Sequence, residues 1–193
     1  MNVDIGKVQP GTWFVSHGSG LAGELIRSAT GSWAGHAGLY LGGNVIVQGQ
    51  PPVAVLAPAD QHDDALWAWR MWDWLIANRG WTAADVSAAQ ALVVGRGHAL
   101  VGCRYDFEAY AAFALEVTKL RNATQLSPFF ARDEQRVCSA LVADAETFGS
   151  VPLEFIPSDG PGLTSNPGTK VVMPPNLVAP GMLLGLGQRL EWM

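Results

Sequence analysis

The stretch from His36 to Gln50 constrains the fold more than any other. In HAGLYLGGNVIVQGQ, apolar and small residues alternate, the chain turns on Gly42, Gly43 and Asn44, and a second alternating run returns. This reads as a β-hairpin, and the length of its turn decides which side chains share a face. A two-residue Gly42-Gly43 turn would set Leu41 opposite Asn44 and send Gln48 to the side away from His36. A three-residue Gly42-Gly43-Asn44 connection suits a type I turn followed by a left-handed residue. It puts His36, Gly38 and Tyr40 on one face with Ile46, Gln48 and Gln50. Gln48 then lies across from Gly38, whose missing side chain leaves room for a diagonal reach to His36. Gln50 lies directly opposite His36 and competes for the same role.

Other elements are read around this hairpin. Residues 12–16 predict a short strand, and 18–30 contain a helical segment with Leu21, Leu25 and Ile26 at helical spacing and Gly31 as its stop. Prolines and acidic residues mark 49–64 as a loop, and LWAWRM over 66–71 predicts a strand. Thr82 caps a helix, with Asp85 three residues on and Trp81 and Val86 as a hydrophobic staple; its end falls near Gly95 or Gly102. Further helices are expected over about 106–120, with Phe107, Tyr110, Ala114 and Val117 on one face, and over about 134–148, stopped by Gly149. The last 40 or so residues are rich in Pro and Gly and predict loops with one or two short strands. The expected class is α+β, a small antiparallel sheet packed against helices.

Composition narrows the function classes. With 193 residues, 49% of them hydrophobic and 15% charged, the chain suits one domain with a sizeable core. A formal net charge of -5, with Lys and Arg scattered, argues against a nucleic-acid partner. No apolar run reaches the roughly 18 residues of a spanning helix. The start, MNVDIGKVQPGTW, carries an acid and a proline where a secretory signal needs a basic segment and an apolar core, so it reads as a mature start. The expected location is cytoplasmic or particle-associated. Two cysteines, Cys103 and Cys138, make neither a disulfide framework nor a zinc spacing.

Few residues are left to carry chemistry. His17, His62 and His98 sit in surface or loop contexts without a patterned neighbour, whereas His36 opens a strand directly after a glycine. Cys103 reads as a packed thiol. Cys138, in RVCSALVADA, shares a helical face with Leu141, Val142 and Ala145, so it is either a small core residue or an inward-facing nucleophile. Near a helix start, unpaired N–H groups and the positive end of the dipole favour a thiolate. A thiol nucleophile needs an imidazole, and the imidazole needs an acceptor to fix its tautomer.

In this order, GHAGLYLGG, VIVQG, GCRYDFEAY and VCSALVADA, the chain resembles the circularly permuted branch of the papain-like NlpC superfamily, the YiiX-like cysteine hydrolases. The resemblance spans roughly 11–148 and implies a permuted papain-like core. It casts Cys138 as nucleophile, His36 as base, Gln48 as the group orienting His36, and Tyr105 as the tyrosine near the nucleophile. One domain over 1–193 is implied, with its core at about 11–156 and 157–193 as an extension packing on it. Two positions depart from the pattern: Gln48 replaces the usual carboxylate, and Ala140 stands where many relatives carry Glu.

The implied reaction is amide hydrolysis through an acyl-thioester, with no metal or organic cofactor. The implied substrate is a peptide or acyl-amide, of the kind found in cell walls. Two other readings stand beside it: a lipid acyltransferase or thioesterase of the lecithin-retinol acyltransferase type, and a non-catalytic binding module. Trp67, Trp69, Trp72 and Trp74 are expected to serve packing ahead of a sugar or lipid surface. The apolar tail 171–193 is expected to cover the sheet ahead of touching a membrane.

Overall fold

A computed structural model describes residues 4–105, 135–136, 138–155, 171–172, 178 and 180–190. Its centre is the hairpin of β2 (His36–Gly42) and β3 (Val45–Gln50), paired with Gly38 opposite Gln48, Leu39 opposite Val47 and Tyr40 opposite Ile46. The register matches the longer connection, but the connection itself differs. Gly43 and Asn44, at φ +59° and +63°, form a two-residue turn of the primed type, and a bulge between Tyr40 and Gly42 precedes it. The bulge adds the one residue that a plain two-residue turn lacks, so the side chains fall on the same faces.

β1 (Trp13–Ser16) flanks β2, and β5 (Leu66–Trp67) flanks β1. On the other side β4 (Val53–Pro58) pairs with β3 along its whole length. This strand replaces part of the loop expected over 49–64. Prolines at 51, 52 and 58 bound it, where strands tolerate them, and its outward Leu56 hides the alternation. The five strands are antiparallel; β6 (Arg104–Tyr105) and β7 (Gln135–Arg136) extend the order to β5-β1-β2-β3-β4-β6-β7, the last pair parallel. The class is α+β, as expected.

The described helices beyond residue 70 cover one face. After α1 (Gly20–Thr30), the strand expected over 66–71 is cut to Leu66–Trp67, and α2 (Met71–Arg79) begins at its last position. Met71, Trp72 and Leu75 are buried at helical spacing, which overrides the alternation of Trp67, Trp69 and Met71. α3 (Ala83–Ala99) starts with the expected capping box, Asp85 N–H donating to Thr82 Oγ1 and Thr82 N–H to Asp85 Oδ2. α4 runs Cys138–Phe148; the helix predicted from 134 is shortened because Gln135 and Arg136 pair with β6. The helix predicted over 106–120 lies outside the described residues.

A ribbon of β8 (Glu154–Phe155) and β9 (Val171–Val172) precedes α5 (Pro180–Arg189), a helix in the tail where loops and strands were expected. Its glycines and proline mask the spacing of Met182, Leu183 and Leu186, all buried in the main core. Among the described residues no helix is long and apolar enough to cross a membrane.

The strands divide the interior in two. Trp13, Val15, Ala37, Leu39 and Val47 point to the helical side with Trp72, Val93, Leu141 and Leu183. Phe14, Tyr40, Ile46 and Trp67 point the other way, under Val8, Ala59 and Ala65. The tryptophans at 67 and 72 are therefore core residues, and Trp69 and Trp74 pack against the same two clusters.

Gly38 marks one tight point: a Cβ there would lie 2.5 Å from Phe14 Cε1 and 3.1 Å from the Val47 carbonyl oxygen. The space above Gly38, expected to serve the reach of Gln48, holds the Phe14 ring instead. Gly38→Ala is expected to lower stability by about 1–3 kcal/mol through overpacking, read as a drop in the thermal midpoint.

Glu146 of α4 is fully buried, and among the described residues neither carboxyl oxygen finds a hydrogen-bond partner. Burial pushes its pKa well above the ordinary carboxylate range. The native chain therefore holds a proton that the unfolded chain releases. Stability from this group is complete below about pH 4 and falls as the pH rises. Glu146→Gln keeps the shape and removes the titration. It is expected to raise the thermal midpoint at pH 8 by roughly 2–4 °C per kcal/mol of relieved burial cost and to change it little at pH 4.

Candidate active-site cleft

His36 stands at the first position of β2, facing Ser16 at the end of β1. Gly35 N–H donates to the Ser16 carbonyl at 3.0 Å and closes this corner of the sheet. Arg27 of α1 donates to the carbonyls of His17 and Gly18, at 2.6 and 2.9 Å, and ties the helix to the same corner. Alternation then sends the His36 side chain to the Phe14 side, together with Gln48 of β3.

There His36 Nε2 lies 2.7 Å from Gln48 Oε1. A carbonyl oxygen only accepts, so Nε2 carries the hydrogen and Nδ1 keeps its lone pair. The amide meeting the ring is that of Gln48; Gln50 lies exposed at the strand end and lines the cleft beside it.

A second imidazole shares this oxygen. His62 Nε2 is also 2.7 Å from Gln48 Oε1, and its ring stacks on that of His36 at a centroid distance of 5.4 Å and 28°. Gln61 Nε2 is 3.2 Å from the same His62 nitrogen. The shorter contact, to an atom that cannot donate, decides the tautomer, so His62 also carries its hydrogen on Nε2. Phe14 packs on both rings, 6.2 Å from His36 and 5.0 Å from His62.

Sequence reading left His62 as a loop residue. Its place follows from topology: the chain leaves β4 beside β3 and crosses the second face to reach β5 beside β1. His62 lies on that crossing, directly after a 3-10 turn at Ala59–Gln61. Asp64 anchors the crossing by accepting from His17 N–H at 2.8 Å. The only sequence signal available was the missing strand β4, which would have made the crossing necessary.

Both imidazoles are held neutral. Burial lowers the His36 pKa, against the opposing pull of Gln48 and Asp64. His62 is lowered to about 4 by burial and by His36 beside it, despite Asp64 and Asp63. The cleft in front of them has a volume of about 640 Å³ and is lined by Ser16, His36, Gln48, Gln50, His62 and Asp64, among others. Ser16 Oγ is buried there without a hydrogen-bond partner among the described residues.

Cys138 is the first residue of α4 and fully buried. Strand directions bring it to the His36 end of the sheet. β7 runs parallel to β6, and Gln135 lines up through Arg104, Val53 and Gln50 with the start of β2; Cys138 lies just beyond that row. The body of α4, however, packs on the side of Leu39 and Val47, opposite to the His36 ring, and Cys138 does not line the cleft. Tyr105 sits on β6 paired with Arg136, beside the segment that leads into α4. Ser139, next to Cys138, donates to the Val178 carbonyl. Cys103 is half-buried against the main core.

Compared with known proteins, the chain matches no family model, no curated protein and no solved structure.

The lowered imidazole pKa values have a stability consequence. Below about pH 6.5 the unfolded histidines take up protons that the native chain refuses. Stability is therefore expected to fall as the pH drops from about 6.5 toward 4. His62→Gln should flatten that slope, as measured by urea midpoints across the range.

Proposed function

We propose that the chain is a cysteine hydrolase of the circularly permuted papain-like type, cleaving an amide bond in a cell-wall-type peptide. Cys138 is the nucleophile, His36 the base, Gln48 the residue that orients His36, and Tyr105 an accessory beside the nucleophile. The observation that carries the reading is the 2.7 Å contact of His36 Nε2 with Gln48 Oε1, which leaves Nδ1 as the basic nitrogen.

The chemistry follows from these groups and needs no metal or organic cofactor. His36 Nδ1 takes the thiol proton, and the thiolate attacks the amide carbonyl. Backbone N–H groups of the first turn of α4 receive the oxyanion, a contribution on the order of a hundredfold to a thousandfold in rate. His36 then protonates the leaving amine, and water releases the acyl group. The reading requires ring and thiol to meet around the N-terminal end of β2, where His36 is the first residue of its strand and Cys138 the first of its helix.

One further observation favours a second reading, a binding module on the same scaffold: Cys138 is fully buried and apart from the cleft. Iodoacetamide separates the two. In a hydrolase, Cys138 alkylates faster than Cys103 at pH 6–7, and His36→Ala removes the preference by leaving the thiol without a base. Equal rates at both cysteines, unchanged by His36→Ala, would leave only the binding module. Turnover of an acyl-thioester lipid with no cleavage of a muropeptide-like amide would instead assign the site to lipid acyl transfer.

A further inference from the structure

We infer that His62 is a positioning residue whose N–H, shared onto the Gln48 carbonyl oxygen, locks that amide toward His36 and thereby fixes which His36 nitrogen is basic. The inference deepens the hydrolase reading in its last step, where His36 serves as base; the lock itself stands on geometry alone.

A side-chain amide can present either its oxygen or its NH2 group to a neighbour, and a half-turn about its terminal bond exchanges them. If only His36 met Gln48, one hydrogen bond would hold the oxygen inward, and a flip accompanied by a shift of the His36 proton to Nδ1 would cost little. The second imidazole changes this. With His62 Nε2 at 2.7 Å from the same oxygen, a flip sets the NH2 group against two N–H donors at once. Both rings would have to change tautomer together to accommodate it.

The His62 ring is itself held in place. It lies stacked on His36, tilted against Phe14 at 5.0 Å, on a segment tethered through Asp64 to the end of β1. Phe14 in turn fills the space over Gly38, next to Gln48 across the hairpin. The lock therefore supplies by geometry what a carboxylate at position 48 would supply by charge. It cannot stabilise an imidazolium as a carboxylate does, but it keeps Nδ1 free of hydrogen in the resting state.

Long-range proton–nitrogen spectra of the full chain at pH 7 test this directly. Both His36 and His62 are expected to show hydrogen on Nε2 and none on Nδ1. His62→Phe keeps a ring in the stack and removes the donor; the His36 signals should then move to a mixture of tautomers. The Cys138 alkylation rate should fall about fivefold, the scale of one neutral hydrogen bond. His62→Gln, with an N–H at nearly the same reach, should restore both. A wild-type His62 with bare Nε2, or a His36 tautomer unmoved by His62→Phe, overturns the inference, and the wild-type spectrum decides even if the variant fails to fold. If the His36 tautomer responds while Cys138 alkylation ignores every substitution, the lock stands and the thiol reading falls.

Discussion

A side chain on a β-strand has two sides to choose from, and in a hairpin the connection makes the choice for the returning strand. Here the bulge between Tyr40 and Gly42 adds one residue to a two-residue turn. Without it, Gln48 would face the helices, Ile46 would leave the cluster of Phe14 and Tyr40, and Val47 would leave the main core. The same residue that orients His36 is therefore fixed by apolar burial on both faces, at about 25 cal/mol for each Å² of apolar surface. Disturbing the site by slipping the register would expose both clusters together, which explains how a polar glutamine can be held 4% exposed without a charged partner.

Burial shapes the chemistry as strongly as geometry does. His36 and His62 lie close enough that charging one disfavours charging the other, and both are drawn from water by Phe14 and the crossing loop. A neutral resting imidazole suits a base that must accept a proton. The cost appears at acid pH, where the unfolded chain gains protons. Glu146 acts in the opposite sense, since its buried carboxyl favours the fold at acid pH and weakens it as the pH rises. The two together hold the window of greatest stability between them.

Much of the hairpin was legible because its signals are local. Alternation, the turn residues and the facing of His36 and Gln48 all lie within a dozen residues of one another. The capping box at Thr82 and Asp85 was legible for the same reason. β4 was not, because prolines bound it and its apolar residues point to both sides. The strand over 66–71 was drawn too long because Trp67, Trp69 and Met71 alternate, while the burial of Met71, Trp72 and Leu75 belongs to α2, most of which the sequence reading left unassigned. α5 was hidden by glycines whose helix holds through tertiary packing. His62 could not be found locally, since its role depends on a crossing between strands at opposite sides of the sheet. The pairing of Cys138 with His36, a hundred residues apart, rests on resemblance; sequence spacing alone carries no information at that range.

The start of β2, where His36 stands, is built on close main-chain contacts fastened by one arginine side chain. A Cβ at Gly35 would lie 2.4 Å from the His17 carbonyl oxygen and 2.7 Å from that of Gly23, so the chain before His36, the end of β1 and α1 touch main chain to main chain. Such contacts leave no flexible side chain to give way, and Arg27 fastens the same corner through two carbonyls. The His36 backbone is thereby fixed, and its freedom is confined to χ1 and χ2, which Gln48 and His62 restrict from one side.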